Sequence, residues 1–308
     1  MSGWRDEMAR RLRGEVLRDE PLGPRTSVRV GGPADLLVRP ADPADLADLL
    51  AAVRRLDRPL TVLGGGANTL VADAGIRGVV LRLPAELGEE QETDDRLLLS
   101  AGASIARLPQ HGHARGLIGA EFLAGVPATL GGAVAMNAGT AQGWIGSLVT
   151  RVELATAEGA GFVPASALRF AYRHAELPPG AVITRAEFAL RPGDVAASRA
   201  AMEADVARRR RTQPLTQPSF GSTFRNPLGH HAGQLIEAVG LKGHRVGNAM
   251  WSDVHANFVV NLGGATAHDV LTLVKLAKRR VKERLGVTLE TEVRLAGEFL
   301  AEDLQESG

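Results

Sequence analysis

The sequence of 308 residues contains no cysteine. A chain without cysteine cannot form disulfide bonds, thiolate-bound zinc sites, cysteine-ligated iron–sulfur clusters or a covalent intermediate on a cysteine. The absence is also typical of proteins that work in a reducing compartment. We therefore expect a cytoplasmic protein.

Long hydrophobic runs are missing as well. No apolar stretch approaches the roughly 20 residues that a membrane-spanning helix needs, so we expect no membrane insertion. Residues 1–20 are rich in charge and lack the apolar segment of a secretory signal peptide. A hydrophobic fraction of 44% over this length still predicts an ample core that needs neither disulfides nor a metal.

An excess of charge of either sign is also absent. The 36 Lys and Arg residues nearly balance the 35 Asp and Glu residues, which leaves a formal net charge of +1. Broad attraction to nucleic acid is therefore not expected, and the arginines at 208–211 are interpreted as the basic end of a solvated helix. The eight histidines show no metal-ligand spacing, so we expect no metal.

Helix and strand patterns are mixed along the chain without the strict alternation of a βαβ protein, which predicts an α+β fold. Two short strands are predicted within residues 26–40, and an Asp-Pro pair at 42–43 predicts the start of a helix. The last helix is predicted to begin with a capping box at Thr266 and to end at Gly286. Two prolines within 212–218 predict a linker between domains.

A glycine-rich segment follows the short apolar strand predicted at residues 60–63. Its backbone N–H groups could hold a pyrophosphate, because small side chains let phosphate oxygens approach closely. A tight turn between a strand and a helix would have the same composition. The residues considered for cofactor binding in this first segment are Gly64, Gly65, Gly66, Ala67, Asn68 and Thr69.

A second segment of small residues lies about sixty residues later. Its backbone would let a flat ring lie close, and Asn137 would add a polar contact, although close helix–strand packing is an alternative explanation. Two such segments in one chain favour a dinucleotide with two separate contact regions. The residues considered for cofactor binding in this second segment are Pro127, Gly131, Gly132, Ala133, Asn137 and Gly139.

The most informative short run is Gly-Ser-Thr-Phe-Arg-Asn-Pro at 221–227. Glycine permits close backbone approach or a positive φ, and the next residue, Ser222, is then a candidate proton donor. Arg225 and Asn226 could hold an anionic ligand. A polar turn would explain the run if it stood alone.

Three further charged residues are candidates for site chemistry. Arg173, which follows the only tyrosine of the chain, could form two parallel hydrogen bonds with a carboxylate. Glu290 and Glu292 alternate along a predicted strand, so their side chains should face opposite sides. At most one of the two glutamates is therefore expected to face a given site.

Together these segments resemble the UDP-N-acetylenolpyruvoylglucosamine reductase family, flavoenzymes of bacterial peptidoglycan synthesis. The resemblance covers nearly the whole chain and is most specific in the second glycine-rich segment and in the serine-containing run. The length and the lack of a long insertion are more similar to the shorter, second type of the family. The segments that carry the resemblance are 26–40, 64–71, 126–139, 172–173, 221–227, 241–243, 255–258 and 289–297.

The resemblance implies an α+β fold in which a two-subdomain FAD-binding region of the PCMH type precedes a smaller α+β substrate-binding domain. We expect the FAD-binding region at 1–211, with subdomains at about 1–78 and 79–211. The substrate-binding domain is expected at 212–293, and residues 294–308 would return to the FAD-binding region.

The resemblance also implies noncovalently bound FAD, NADPH as the hydride donor, and reduction of an enolpyruvyl sugar nucleotide to UDP-N-acetylmuramate. In that reaction Arg173 would bind and polarise the substrate carboxylate, and Glu292 would assist from the other side. Ser222 would deliver a proton to the neighbouring carbon. The residues expected to bind the sugar nucleotide are Arg173, Arg225, Asn226, Gln234 and Lys242.

The chain departs from the family pattern at a few positions. Ala67 and Thr69 stand where the family often has serine and leucine, and Ala175 stands where it usually has serine. Met250 and Trp251 replace smaller or polar residues. These changes affect the expected details of flavin and substrate contact and leave the catalytic residues intact.

Two other functions are compatible with part of the pattern. A related FAD oxidase of small alcohols or sugars would share the two glycine-rich segments, but it would have no need of the run at 221–227. A catalytically silent flavin-binding protein would be expected to lose at least one of Arg173, Ser222 and Glu292, and all three are present.

Overall fold

The computed structural model describes residues 3–300 and 303 of the chain. The chain divides into two compact units, and each unit gathers separate stretches of sequence. The first unit comprises Met1–Arg18, Leu36–Gly65 and Gly78–Arg208, and the second comprises Asp19–Asp35, Gly66–Arg77 and Arg209–Gly308. These two units are defined by how the chain packs, whereas the predicted FAD-binding and substrate-binding domains are defined by the ligand that each would bind. The predicted boundaries stay a prediction.

Helices and strands are mixed throughout the described residues, as an α+β fold requires. The α-helices are α1 (Gly3–Arg11), α2 (Pro43–Arg55), α3 (Arg107–Ala114), α4 (Leu130–Ala135), α5 (Val195–Thr212), α6 (Ala232–Ala238) and α7 (Ala267–Leu285). The strands are β1 (Glu15–Pro21), β2 (Pro33–Arg39), β3 (Leu60–Val62), β4 (Thr69–Val71), β5 (Ile76–Leu81), β6 (Gln91–Glu92), β7 (Arg96–Ser100), β8 (Leu117–Ile118), β9 (Gly139–Thr140), β10 (Gly143–Trp144), β11 (Val149–Thr156), β12 (Gly159–Pro164), β13 (Val182–Ala189), β14 (Arg191–Pro192), β15 (Ser219–Ser222), β16 (Arg245–Val246), β17 (Ala249–Trp251), β18 (Phe258–Asn261) and β19 (Arg294–Ala296).

The first unit is built around a five-stranded sheet in the order β12-β11-β13-β7-β6. Its paired strands are antiparallel, and β13 lies at the centre between β11 and β7. Phe188 of β13 and Leu99 of β7 are fully buried in one core cluster together with Leu130 and Val134 of α4. The core therefore anchors the helix that belongs to the second glycine-rich segment.

A second core cluster in this unit forms beneath α2. Leu46 and Leu49 lie on the buried face of the helix and pack with Leu36 and Val79. The predicted start of this helix is confirmed, because the Asp42 side chain accepts a hydrogen bond from the Asp45 N–H and proline follows at the first helical position. The cap and the apolar stripe together specify the helix from sequence.

The second unit contains a four-stranded sheet in the order β15-β18-β17-β16, packed with α6 and α7. Phe224 and Trp251 stack in its core with ring centroids 5.9 Å apart. The predicted limits of α7 are confirmed, because Thr266 and Asp269 form a capping box and Gly286 ends the helix at a φ of 70°.

Two predicted strands are wrong. Residues 26–32 form a loop, because the Thr26 hydroxyl bonds to the carbonyls of Gly23 and Val30 and these local bonds replace a ladder. The segment at 287–293 is also irregular apart from a single bridge between Phe224 and Thr291. The C-terminal strand begins later, at Arg294, where β19 pairs in parallel with β4.

Within residues 3–300 and 303, no helix combines the length and the apolar character that crossing a bilayer requires.

Candidate active site

The first glycine-rich segment links β3 to β4. Among the described residues, the N–H groups of Gly64, Gly65, Gly66 and Ala67 donate no hydrogen bond, so a run of backbone donors is left for another acceptor. Such a run is the arrangement that binds phosphate oxygens in other proteins.

Gly66 cannot be replaced without distortion. Its φ is +65°, and a Cβ atom on it would lie 2.4 Å from the Arg25 carbonyl oxygen and 2.8 Å from the Thr26 Cα. Its own carbonyl accepts a hydrogen bond from Ser27 N–H. The positive φ and the close approach of the backbone at residues 25–27 explain why glycine stands here.

The second glycine-rich segment packs against the start of the first within the first unit. A Cβ atom on Gly64 would lie 2.7 Å from the Thr129 hydroxyl, and one on Gly65 would lie 3.6 Å from the Pro127 carbonyl oxygen. The Thr129 hydroxyl accepts a hydrogen bond from Gly132 N–H and caps α4. The structure thus brings together two segments that are about sixty residues apart in sequence.

The other residues predicted to contact a cofactor in this segment have different surroundings. Gly131 lies against Ala101, where a Cβ atom would come within 2.8 Å of the alanine side chain, and Ala133 is buried in the core. Gly139 pairs with Trp144 in the β9–β10 hairpin, which leaves no room for a Cβ beside the Gly143 carbonyl. Packing therefore accounts for part of the small-residue pattern, as the alternative interpretation anticipated.

Arg173 lies in a tight turn closed by a bridge between Ala171 and His174. Its φ is +56°, an unusual value for a residue with a side chain. Its guanidinium carbon lies 5.2 Å from the ring centroid of Tyr172 and 6.0 Å from that of Trp144. Both rings are half-exposed and lie within cation–π range, so they stabilise the guanidinium beside them.

Ser222 lies at the end of β15, opposite Phe258 of β18. Gly221, just before it, has a φ of +83° and a Cβ on it would meet nothing within 4 Å, so of the two possible reasons for glycine here the structure shows the positive φ. The next residue, Thr223, is fully buried, and its N–H donates to the Asn257 carbonyl over 2.8 Å. The serine therefore lies at the end of a paired strand, next to a buried threonine whose N–H is hydrogen-bonded.

Asn257 is a positioning residue that the sequence did not reveal. Its Oδ1 accepts from Phe224 N–H over 3.0 Å, and its Nδ2 donates to the Phe224 carbonyl over 2.8 Å. The side-chain amide thus pairs with the backbone as a neighbouring strand would. His255 orders the same loop, since its Nδ1 accepts from Asn257 N–H. Burial, reinforced by the charge of Lys242, lowers the pKa of His255.

Glu292 approaches the serine-containing run through its backbone. Its N–H donates to the Thr223 carbonyl over 2.8 Å, and its own carbonyl accepts from Asn68 Nδ2 over 3.1 Å. Asn68 also accepts, through its carbonyl, from Arg294 N–H. Within the second unit, the structure therefore connects Ser222, Glu292 and the end of the first glycine-rich segment.

In the second unit, three of the residues predicted to bind the sugar nucleotide already form ion pairs or hydrogen bonds within the protein. Arg225 Nη1 lies 3.8 Å from Glu290 Oε2, and Lys242 Nζ lies 3.1 Å from Glu237 Oε1. Asn226 Oδ1 accepts from Ala232 N–H at the start of α6. Gln234 lies on the exposed surface of the same helix.

Arg294 is a further cation that the sequence did not single out. Desolvation, together with the nearby charge of Arg225, lowers the pKa of Arg294, although its side chain keeps contact with solvent. Because the charges of Arg225 and Arg294 repel each other, a bound anion would stabilise both side chains. The only available sequence signal was its place directly after Glu292 and Val293.

No group of three or more potential ligands that could hold a metal ion occurs among residues 3–300 and 303.

Comparisons with known proteins identify the family of this chain. The family described as "FAD binding domain" matches residues 34–161, and the family described as "UDP-N-acetylenolpyruvoylglucosamine reductase, C-terminal domain" matches residues 213–296. These matches confirm the predicted order of an FAD-binding region followed by a second domain.

Two curated relatives and one crystal structure cover nearly the whole chain. The UDP-N-acetylenolpyruvoylglucosamine reductase of Anaeromyxobacter dehalogenans strain 2CP-1 is 70% identical over 302 residues, which is 98% of this chain and 92% of the relative. The Myxococcus xanthus enzyme of the same name is 54% identical, with 93% and 94% covered. The crystal structure of UDP-N-acetylenolpyruvylglucosamine reductase from Thermus caldophilus is 38% identical with a TM-score of 0.78, and 92% of this chain and 99% of that chain are covered. This chain therefore belongs to the UDP-N-acetylenolpyruvoylglucosamine reductase family.

Proposed function

We propose that Arg173, Ser222 and Glu292 carry out the chemistry of this family in the present chain. The chain is an FAD-dependent oxidoreductase that reduces UDP-N-acetylenolpyruvoylglucosamine to UDP-N-acetylmuramate in peptidoglycan synthesis, with NADPH as the reductant. The observation that best supports the proposal is the backbone bond from Glu292 N–H to the Thr223 carbonyl, because Thr223 directly follows the proposed proton donor, Ser222.

The residues present fit FAD. The donors of Gly64 to Ala67 have no acceptor among the described residues and would hold the pyrophosphate. The backbone beside Pro127 and Thr129, which packs against Gly64 and Gly65, would contact the adjoining part of the cofactor. When bound, the flavin supplies the hydride that adds to the terminal carbon of the enol ether.

The residues of the chain would assist that addition by charge and by proton transfer. An enol ether accepts hydride poorly, so its carboxylate has to take up electron density. Arg173 would bind that carboxylate and stabilise the added charge, and Glu292, with its carboxyl group protonated, would donate a hydrogen bond to it from the other side. Ser222 would then give its proton to the neighbouring carbon.

Charge and position also support a substrate-binding role for the second unit. Arg225 and Lys242 are cations, and Asn226 keeps its amide N–H groups while its oxygen caps α6. We propose that these residues and Gln234 bind the uridine diphosphate, with Arg294 as an additional cation. The pKa of Arg294 is already lowered, and a bound diphosphate would raise it again. We further propose that the protein works in the cytoplasm.

The proposed function is tested by anaerobic consumption of NADPH, with and without UDP-N-acetylenolpyruvoylglucosamine. We expect sustained consumption only with the sugar nucleotide, and one UDP-N-acetylmuramate formed for each NADPH. Turnover that needs oxygen instead of the sugar nucleotide would support the oxidase alternative and contradict the proposal.

Replacing Gly66 with alanine should lower the amount of bound FAD. The new Cβ would meet backbone atoms of Arg25 and Thr26, and alanine disfavours a φ of +65°, so the segment that presents the phosphate donors has to move. The measurement is the ratio of flavin to protein absorbance after purification. Gly161→Ala is the matched control, because a Cβ there meets nothing within 4 Å and its φ is not positive. Equal flavin content in the two variants would contradict the expectation.

A further inference from the structure

Asn137 connects separate segments of the first unit through both ends of its side chain. Its Nδ2 donates to the Ala171 carbonyl over 2.9 Å, and its Oδ1 accepts from Gly146 N–H over 3.0 Å. The residue is 6% exposed and has a φ of +42°, a conformation that asparagine tolerates better than most residues. Both polar atoms of its amide are thus bonded inside the protein.

The two partners of Asn137 belong to the segments that carry the groups around Arg173. Ala171 opens the turn of Arg173, and Gly146 follows Trp144 by two residues. The rings of Trp144 and Tyr172 meet edge to face with centroids 5.8 Å apart, and both lie within cation–π range of the arginine. One side-chain amide therefore ties the Trp144 segment to the Tyr172–Arg173 turn.

The contact between Asn137 and Gly146 is also sterically specific. A Cβ atom on Gly146 would lie 2.7 Å from Asn137 Oδ1 and 2.7 Å from the Phe170 ring. The turn after Trp144 can therefore approach the amide only because position 146 is glycine. The left-handed φ of Arg173 is unfavourable by itself and persists only where neighbouring structure holds the turn.

We propose that Asn137 is a positioning residue for Arg173. Its amide holds the turn at 171–174 against the segment that carries Trp144, and the two aromatic rings then confine the guanidinium. This inference rests on the proposed function, in which Arg173 binds the substrate carboxylate. It differs from the prediction that Asn137 contacts the cofactor, because a positioning role affects the reaction with substrate and leaves FAD binding and flavin reduction unchanged.

Two variants separate these roles. Asn137→Gly keeps the positive φ and removes both hydrogen bonds. Asn137→Asp retains an acceptor for Gly146 N–H but has no donor for the Ala171 carbonyl, so it loses only the bond to the Arg173 turn. Thr184→Val is the matched control, because it removes a buried side-chain hydrogen bond to Glu153 in the same unit, away from the turn.

The measurements are flavin content, the anaerobic rate of flavin reduction by NADPH, and the rate of reoxidation by the sugar nucleotide. We expect both Asn137 variants to keep their FAD and their reduction rate, and to lose about 10²-fold in reoxidation, the cost of misplacing a substrate-binding group by about 1 Å. The Thr184 control should react like the wild type in both steps. Loss of FAD or slow reduction in the Asn137 variants would overturn the proposal in favour of direct cofactor contact.

A double-mutant cycle with Arg173→Lys completes the test. If Asn137 acts through Arg173, the double variant with Asn137→Asp should be no slower in reoxidation than Arg173→Lys alone. Multiplicative losses would overturn the positioning role. Normal reoxidation by Arg173→Lys would instead contradict the proposed function of the arginine itself, so the two failures are distinguishable. If Asn137→Asp does not fold, the cycle with Asn137→Gly gives the same expected and contradicting results.

Discussion

Replacing Ser222 with alanine is expected to abolish nearly all turnover while NADPH still reduces the bound flavin. A positioned proton donor contributes about 10²- to 10⁴-fold to the rate of a proton-transfer step, and we expect a loss in that range. The loss should be confined to the reaction with substrate, because the serine is not among the residues proposed to bind FAD. Anaerobic stopped-flow spectroscopy of the flavin measures the two half-reactions separately.

The backbone around Ser222 should keep its position in the Ser222→Ala variant. The serine is paired with Phe258, and Thr223 is anchored by the Asn257 carbonyl, so neither bond depends on the serine side chain. Ser219→Ala is the matched control, since Ser219 begins the same strand and pairs with Val260. The control should keep wild-type rates in both half-reactions. Normal turnover by Ser222→Ala would show that another group delivers the proton.

The fold elements that could be predicted from sequence are those with local signals. Helices α2 and α7 have both a capping residue and an apolar stripe, and each begins where its cap predicts. Residues 26–32 have β-branched residues but form a loop, because the hydroxyl of Thr26 bonds to nearby backbone. Such competition between local hydrogen bonds and a ladder is not visible in a periodicity pattern.

The site could be predicted only in part for a similar reason. Glycines and charged residues stand out in a sequence, so they could be noted as candidates, but their roles were implied by the resemblance to the family. Asn137 and Asn257 act through bonds to backbone groups 34 and 33 residues away, which no spacing rule predicts. A side-chain amide can complete a distant backbone pairing wherever the fold brings the chains together. Positioning residues of this kind become apparent only from the structure.

Replacing Glu292 with glutamine is expected to reduce turnover by about 10²- to 10³-fold, the loss typical when one group that stabilises developing charge is removed. Glutamine keeps the size of the side chain, but its amide N–H is a weaker hydrogen-bond donor than the O–H of a carboxylic acid, so it stabilises the charge that develops on the substrate less well. The backbone at this position should stay in place, because its bonds to Thr223 and Asn68 use main-chain atoms of Glu292. We therefore expect normal FAD content and normal reduction by NADPH, with the loss confined to reoxidation by substrate.

Glu290→Gln is the matched control, because it makes the same change at the neighbouring glutamate. The two glutamates are separated by one residue, yet the Glu290 side chain is 74% exposed and lies 3.8 Å from Arg225. Exposed ion pairs contribute little, so its replacement should leave turnover close to the wild-type rate. A larger loss with Glu290→Gln than with Glu292→Gln would exchange the roles of the two residues. It would also place the catalytic acid beside Arg225 and not beside the backbone bond to Thr223, which would remove the main structural support for the proposed site.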